Sequence, residues 1–479
     1  MSESVQAFHH TKIVATLGPA TDSPERLKAV IGLGVDLIRL NMAHATPDWC
    51  HERIARIREV STQVGRHVAV MMDVKGPEIR TAAVQDSVDL VAGDTFQFYI
   101  ESAAPCPVGE GVSVNYPHLP EDVEIGKVIL VDSGLIRLEV VDKDAERVHC
   151  KVVVGGTLGS KRHINLPGVV VKLPALTEKD RVDLTAGVEA GIDFVALSFV
   201  RNASDISELR ELLKSLGSRA RIIAKIEDQA GVRNIKEIVQ ASDGIMVARG
   251  DLGIEIDYPE LPLVQRDIVK RCRREGKPVI IATHLLESMV DSPIPTRAEI
   301  SDVSNAIREQ ADAIMLSGET TTGKYPIESI EVMRNMIDTI EPTVPNEINQ
   351  DIKLREPKSK MLRSAVILAQ ELGDESGIVV FTRSGFLAYV LGAMRAKGVP
   401  VFAFTDDEVI FRQLLFPWGV EPFLMPFDDD RPGRTIKHAL KILRDKQWCS
   451  IGSTQVVITN VLDAEGGIID SLQLRTIAE

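Results

Sequence analysis

The chain has 479 residues, with 55 Lys and Arg against 69 Asp and Glu, a formal net charge of −14 with His neutral. Chains divide beyond roughly 250–300 residues, so two or three domains are expected, and a composition of 44% hydrophobic and 26% charged residues excludes wholesale disorder. The acidic balance repels polyanions, which excludes nucleic acid and anionic membranes as partners and requires a local basic pocket for any anionic ligand.

The chain opens on the polar MSESVQAFHH, in which the adjacent His9 and His10 read as inert residues of a frayed terminus. Nothing there resembles an export leader, and no apolar run approaches the roughly 18 residues that span a bilayer. The five cysteines (Cys50, Cys106, Cys150, Cys272 and Cys449) are scattered without CxxC spacing. They fit neither a disulfide framework nor a zinc site, and a cytoplasmic setting is expected.

From Thr11 onward, short Val- and Ile-rich runs alternate with amphipathic helical patterns: TKIVATLG, DLIRLNM, HVAVMMDV, DFVALSF, RIIAKIE, GIMVARGD, PVIIAT and AIMLSGE. Eight such alternations over about 340 residues predict a closed (β/α)8 barrel, fold class α/β. After the third strand, residues 77–167 are rich in strands and turns joined by Gly, Pro and Asp rather than by helices, which predicts an inserted β-barrel-like lid over the barrel mouth. The Pro- and charge-rich EPTVPNEINQDIKLREPK reads as a linker. Beyond it SGIVVFT, VPVFAFT, VEPFLMP and QVVITN alternate with helices and end in the edge-like strand SLQLRTI, an open α/β unit. The expected division is 1–76 with 168–342 (barrel), 77–167 (lid) and 343–479 (C-terminal unit).

Polar residues two apart at a strand's end project from one face, and at a barrel's C-terminal rim that face points into the mouth. Arg39 and Asn41, Asp73 and Lys75, Lys225 and Glu227, Arg249 and Asp251, and Ser317 and Glu319 fit this pattern, with Thr283 ending the seventh strand. Any one such pair is commonly a structural ion pair; five on one rim favour a site. Glu227 and Asp251 supply hard oxygens suited to Mg²⁺, and Arg39, Lys75 and Lys225 supply charge for phosphate. That combination is the apparatus of phosphoryl transfer to or from a phosphorylated substrate. The run GETTTGK at 318–324 imitates a phosphate-binding G-x-x-x-x-G-K loop, but Tyr325 stands where Ser or Thr is needed and the run leaves a barrel strand.

The motifs TKIVATLGPAT, RLNMAH, DVKGPEIRT, NLPG with LPALTEKD, AKIED, GIMVARGDLGIE, IATHLLESM, PTRAEISDV and IMLSGETTTGKYP, collinear from Thr11 to about Pro326, resemble the pyruvate kinase family. The resemblance implies transfer of phosphate from phosphoenolpyruvate to ADP, giving ATP and pyruvate. It places Lys225 beside the transferred phosphoryl group and Glu227 and Asp251 on Mg²⁺ (or Mn²⁺). Gly250 and Asp251 would bind the substrate, and Thr283, Ser317 and Glu319 would sit at the proton-delivery and substrate side. It also implies that Arg39 contacts the phosphates and that Arg80, Lys161, Asn41 and His44 meet nucleotide. K⁺ would be held by Asn41, Asp73 and the carbonyl of Val74, and Glu78 of DVKGPEIRT sides with the K⁺-dependent members. A homotetramer is the family's usual assembly.

Departures from the family pattern are also legible. Ala43 replaces a serine whose hydroxyl completes the K⁺ site, His284 replaces a glutamine after Thr283, and Ser133 replaces an acidic residue of the lid. In the C-terminal unit Thr382, Arg383 and Ser384 resemble a phosphate-binding loop, yet Phe386 and Leu387 follow where the family carries Arg and Ser. Gly467 and Ser471 mark the later effector loop. A phosphorylated allosteric effector is therefore an open expectation, with fructose bisphosphate disfavoured. Two alternatives stay open: a Mg²⁺-dependent barrel lyase acting on enolpyruvate or oxaloacetate, which would ignore ADP, and a degenerate regulatory scaffold.

Overall fold

A computed structural model describes residues 8–43, 45–345, 348–354, 357–373, 375–462 and 468–478. Three parallel strands, β1 (Lys12–Thr16), β2 (Leu37–Asn41) and β3 (Ala69–Asp73), precede an insertion built from β4 (Val88–Leu90), β5 (Thr95–Ile100), β6 (Gly111–Val114), β7 (Val128–Val131), β8 (Ile136–Lys143), β9 (Arg147–Val154), β10 (Gly156–Leu158) and β11 (Ile164–Asn165). The chain then returns to β12 (Phe194–Leu197), β13 (Arg221–Ile226), β14 (Gly244–Ala248), β15 (Val279–Ala282) and β16 (Ala313–Leu316). The five returning strands close with the first three into an eight-stranded parallel barrel, β1 pairing with β16.

Local chemistry sets the helices around it. Thr46 caps the helix Pro47–Val64, which stops at the left-handed Gly65. Thr177 with Asp180 and Thr296 with Glu299 form reciprocal capping boxes at the helices Glu178–Ala190 and Arg297–Arg308. Inside the barrel pack Val14, Leu37, Met71, Phe194, Ile223, Met246 and Met315, and the floor is closed by Leu415 and Phe416 of the C-terminal unit. The Phe194 and Phe416 rings meet edge to face at 5.5 Å.

Four aspartates tie the floor, each one residue ahead of an alternate strand. Asp36 accepts from Ile13 N, Asp193 from Val70 N, Asp243 from Ile222 N and Asp312 from Val279 N, at 2.8–3.0 Å. Each joins its own strand to the strand on one side. Two of them also hold the C-terminal unit: Arg412 Nε donates to Asp193 (2.7 Å), and Arg395, 1% exposed, grips both oxygens of Asp312 (3.1 and 2.5 Å).

The insertion curls a six-stranded sheet, order β11-β7-β8-β9-β5-β6, around its own core beside the β4–β10 pair. It contains one helical turn the sequence reading did not expect, Leu119–Asp122, where Pro120, Glu121 and Asp122 suit a first turn. The insertion rests on the barrel at the helix Arg249–Glu255: Asn165 Nδ2 donates to Glu255 Oε1 (3.0 Å), and Gly134 lies over Ile254.

The C-terminal unit is an open sheet of β17 (Ile378–Phe381), β18 (Val401–Thr405), β19 (Val420–Leu424), β20 (Thr454–Leu462) and β21 (Ile468–Thr476), order β19-β18-β17-β20-β21. Its β21 is an antiparallel edge strand. The segment GETTTGK forms a four-residue helix, Gly318–Thr321, and Lys324 pairs with Asp291 at 2.8 Å. Among the described residues no helix is long and apolar enough to cross a membrane.

His9 and His10 are not the inert residues of a frayed end. His9 pairs with Asp338 (2.8 Å), His10 stacks on Trp418 (4.1 Å between centroids), and the amides of His10 and Thr11 donate to Glu341. An acceptor at the end of the helix Pro326–Ile340 and an aromatic floor secure residues that a polar terminal sequence gives no reason to fix.

Replacing Asp312 by Ala leaves Arg395 buried without a counter-charge and the amides of Val279 and Trp418 without an acceptor. Asp312→Ala is expected to lower unfolding stability by about 3–5 kcal/mol, measured by denaturant titration against the wild-type chain.

Candidate active site

The C-terminal ends of β1, β2, β3, β12 and β13 bring together one continuous network of charges. Asp73, 2% exposed, lies at its centre. Arg39 Nε donates to Asp73 Oδ2 at 2.6 Å and Arg39 Nη1 to Thr16 Oγ1 at 3.2 Å. Lys225 Nζ reaches Asp73 Oδ1 (3.2 Å), Ser198 Oγ (2.9 Å) and Glu227 Oε1 (2.9 Å). Glu227 Oε2 accepts from Phe199 N at 2.7 Å, at a residue whose φ of 52° turns the amide toward it.

The electrostatics follow from this chain. Burial alone would push the Asp73 carboxyl up, yet the guanidinium of Arg39 and then the ammonium of Lys225 hold it below its ordinary range. Burial acts to lower Lys225, and the charges of Asp73 and Glu227 outweigh it, so the ammonium keeps its proton more tightly than a free lysine. Glu227 is pushed up to about 7 by burial, opposed by Lys225 and reinforced by the negative charge of Asp251. A buried carboxyl pushed up further by a neighbouring carboxylate is a site that a dication relieves, and Mg²⁺ characteristically uses one or two protein carboxylates with substrate oxygens and water. Among the described residues no group of three or more His, Cys, Asp or Glu is arranged to hold a metal by itself.

On the adjoining strands, Gly250 N donates to Thr283 Oγ1 (2.7 Å), whose hydroxyl donates to Ala282 O (2.7 Å). A Cβ at Gly250 would stand 3.4 Å from both Thr283 Oγ1 and the His284 ring, so the backbone approach there is close. Glu319, raised by burial, accepts from Ser317 N (2.7 Å) and Leu286 N (3.1 Å). Ser317 Oγ is buried with no hydrogen-bond partner among the described residues.

The remaining expected residues are placed less uniformly. Glu78 gathers Lys75 (3.3 Å) and Arg80 (2.7 Å) at the root of the insertion, and Arg80 Nη1 also donates to the carbonyl of the exposed Lys161 (2.8 Å). Asn41 is exposed and its Oδ1 accepts from Ala43 N (3.1 Å). The carbonyl of Val74 accepts from Ser198 Oγ (2.7 Å). His44 lies outside the described residues.

In the C-terminal unit, Thr382, Arg383 and Ser384 line a cavity of about 540 Å³ with Phe386, Phe427 and Thr459. Ser471 pairs in register with Thr459, while Gly467 lies outside the described residues. Arg383 is already engaged, by Asp406 (3.0 Å) and Asp429 (2.8 Å).

Two residues of the network were missed from sequence, Thr16 and Ser198. Both end barrel strands, the first and the fourth, but Gly18 and Val200 stand two residues on, so a rule that looks for paired polar residues passes over them.

The fold and this rim define a barrel protein with a preorganised cationic site, two carboxylates suited to a divalent metal, and an inserted β domain rooted beside them. Residues 8–330 match the family profile "Pyruvate kinase, barrel domain", and residues 359–473 match "Pyruvate kinase, alpha/beta domain". The chain is 43% identical over 420 residues to a pyruvate kinase of Geobacillus stearothermophilus, covering 86% of this chain and 70% of that one. It is 40% identical over 484 residues to a pyruvate kinase of Sporosarcina psychrophila (98% and 80%) and 40% identical over 445 residues to pyruvate kinase isozyme G, chloroplastic, of Nicotiana tabacum (92% and 78%). The chain belongs to the pyruvate kinase family.

Asp73→Asn removes the carboxylate shared by the buried Lys225 and the partly buried Arg39 and is expected to cost roughly 3 kcal/mol of stability. The loss should be smaller in a Lys225→Met background, since one of the two stranded cations is then absent; equal losses in a double-mutant cycle would show that the two residues are uncoupled.

Proposed function

We propose that the chain transfers the phosphoryl group of phosphoenolpyruvate to ADP, giving ATP and pyruvate, in the last step of glycolysis. The observation that carries this reading is the buried Asp73–Lys225–Glu227 chain beside Asp251 at the barrel rim. The phosphorus–oxygen bond to the enol oxygen breaks as one to a β-phosphate oxygen of ADP forms, and the enolate's electron pair takes a proton at C3. Lys225 and Arg39 meet the charge on the phosphoryl group, held in place before substrate arrives by Asp73, Ser198 and Thr16. When bound, Mg²⁺ or Mn²⁺ on Glu227 and Asp251 supplies neutralisation of substrate oxygens. Gly250 and Asp251 bind the substrate carboxylate side. Thr283, with Ser317 and Glu319 through water, delivers the proton. A relay suffices there, because an enolate is a reactive base once dephosphorylated.

Arg80, Lys161, Asn41 and His44 serve the nucleotide. We take the working division as 1–76 with 168–342, 77–167 and 343–479, the assembly as a homotetramer, and the setting as the cytoplasm, where the five free thiols are at home. At the C-terminal cavity a phosphorylated effector has to displace Asp406 or Asp429 from Arg383, which favours a sugar or nucleotide monophosphate over a bisphosphate. A lyase reading explains neither the lid nor the Lys75, Glu78 and Arg80 cluster at its root. A degenerate scaffold is disfavoured because Lys225, Glu227, Asp251 and Thr283 are all present.

In an assay coupled to pyruvate reduction, pyruvate should appear only with both phosphoenolpyruvate and ADP; formation without ADP would favour the lyase. Lys225→Met is expected to lower turnover by roughly 10³-fold or more while the thermal midpoint shows a folded protein, and near-normal turnover would refute the assignment.

K⁺ would be held by Asn41, Asp73 and the Val74 carbonyl, with water in place of the hydroxyl that Ala43 lacks. Turnover should rise with K⁺ and saturate only at high concentration, with Ala43→Ser saturating at lower K⁺. Equal activity in tetramethylammonium buffer would overturn this.

A further inference from the structure

Two consecutive residues after β15, Thr283 (φ 67°) and His284 (φ 53°), occupy the left-handed region without being glycine. Such conformations persist only where the surroundings over-determine them. Here one side chain does so. Arg249, the first residue of the helix Arg249–Glu255 after β14, is 8% exposed. Its Nε donates to Ala282 O (3.3 Å) and its Nη2 to Thr283 O (2.7 Å) and His284 O (3.3 Å). Its Nη1 is held from the opposite side by Asp302 Oδ1 (2.8 Å), on the helix Arg297–Arg308.

Three successive carbonyls thus converge on one planar guanidinium, a geometry that a lysine's single point charge does not reproduce. The consequence falls on the hydroxyl between them: Thr283 Oγ1 is fixed against Gly250 N and Ala282 O, both at 2.7 Å. An ion pair serving only to fasten the helix Arg249–Glu255 to the helix Arg297–Arg308 would need Asp302 and none of the three carbonyls.

We infer that Arg249 is a positioning residue for the proton-delivery step, holding the Thr283 hydroxyl through the backbone of residues 282–284 without itself meeting the substrate. The inference rests on the phosphoenolpyruvate reading above for what the hydroxyl does. Its hold on the turn stands apart from that reading.

The test uses the full chain and three readouts: hydrogen exchange of the segment 279–290, single-turnover ATP formation from phosphoenolpyruvate and ADP, and exchange of pyruvate methyl protons with D₂O in the presence of Mg²⁺ and ATP, followed by proton NMR. Arg249→Gln should loosen segment 279–290 and slow methyl exchange by roughly tenfold or more, while ATP formation falls by less than about threefold. Arg249→Lys should recover only part of the loss. Adding Arg249→Gln to Thr283→Ala should slow methyl exchange no further than Thr283→Ala alone. Asp302→Asn, which leaves the guanidinium in place but frees it on one side, should shift methyl exchange in the same direction by less, and it decides the matter should Arg249→Gln not fold.

Unchanged methyl exchange, loss of both activities in step, or additive effects with Thr283→Ala would overturn the inference. Absence of ATP formation in the wild-type chain would instead refute the phosphoenolpyruvate reading, leaving hydrogen exchange to judge whether Arg249 holds the turn.

Discussion

A lysine sealed at the end of a barrel strand constrains everything around it. Removing an ammonium from water costs several kcal/mol even after the protein relaxes, so Lys225 is stable in the folded chain only with carboxylates at contact distance. Asp73 and Glu227 supply them. Asp73 then needs its second oxygen satisfied, and Arg39 does so from the neighbouring strand β2. The alignment of β2, β3, β12 and β13 at the rim is thereby bound to one set of charges. Arg39 and Lys225, both fixed on Asp73, thus set two cations at the rim of a chain of net −14. That is how an acidic protein meets an anionic substrate without attracting polyanions at its surface.

The opposite end of the barrel obeys a different rule. Asp36, Asp193, Asp243 and Asp312 precede β2, β12, β14 and β16 and stitch the strands in four pairs from below. Two of them double as anchors for Arg412 and Arg395, so the C-terminal sheet is fastened to the floor, while Leu415 and Phe416 close the interior. The insertion is fastened at the other end, through Asn165 to Glu255, on the same short helix that carries Asp251. The barrel therefore carries its two attachments at opposite ends: the C-terminal sheet on the aspartates that precede the strands, and the insertion on the helix that presents Asp251.

Alternating apolar runs and strand-end polar pairs made the barrel, the insertion, the open C-terminal sheet and six of the eight rim positions readable from the sequence. Thr16 and Ser198 escaped because neither has a polar residue two positions away at its strand end. The floor aspartates were equally visible, in VDLI, IDFV, SDGI and ADAI, but one carboxylate before an apolar run reads as a solvated turn until the neighbouring strand's amide is known. His10 was misjudged for a related reason. Its partners, Glu341 and Trp418, lie more than 300 residues away, and no local pattern reports a contact at that separation. In the C-terminal unit the sequence offered Arg383 as a cation, and the structure shows its charge already spent on Asp406 and Asp429, which a motif cannot reveal.

The cations of the mouth fall into two groups with different physical duties. Lys225 is buried and Arg39 partly so, and both are held by fixed partners, the arrangement in which a developing charge would be met with least reorganisation. Lys75 and Arg80 are partly exposed and share the single carboxylate of Glu78, which is held below its ordinary range by the Arg80 bond and then by Lys75 despite burial pushing it up. One anion between two cations at the root of the insertion leaves one positive charge uncompensated there. The two pairs differ accordingly: the inner one is fixed on several partners, while the outer one shares a single carboxylate at the root of the insertion.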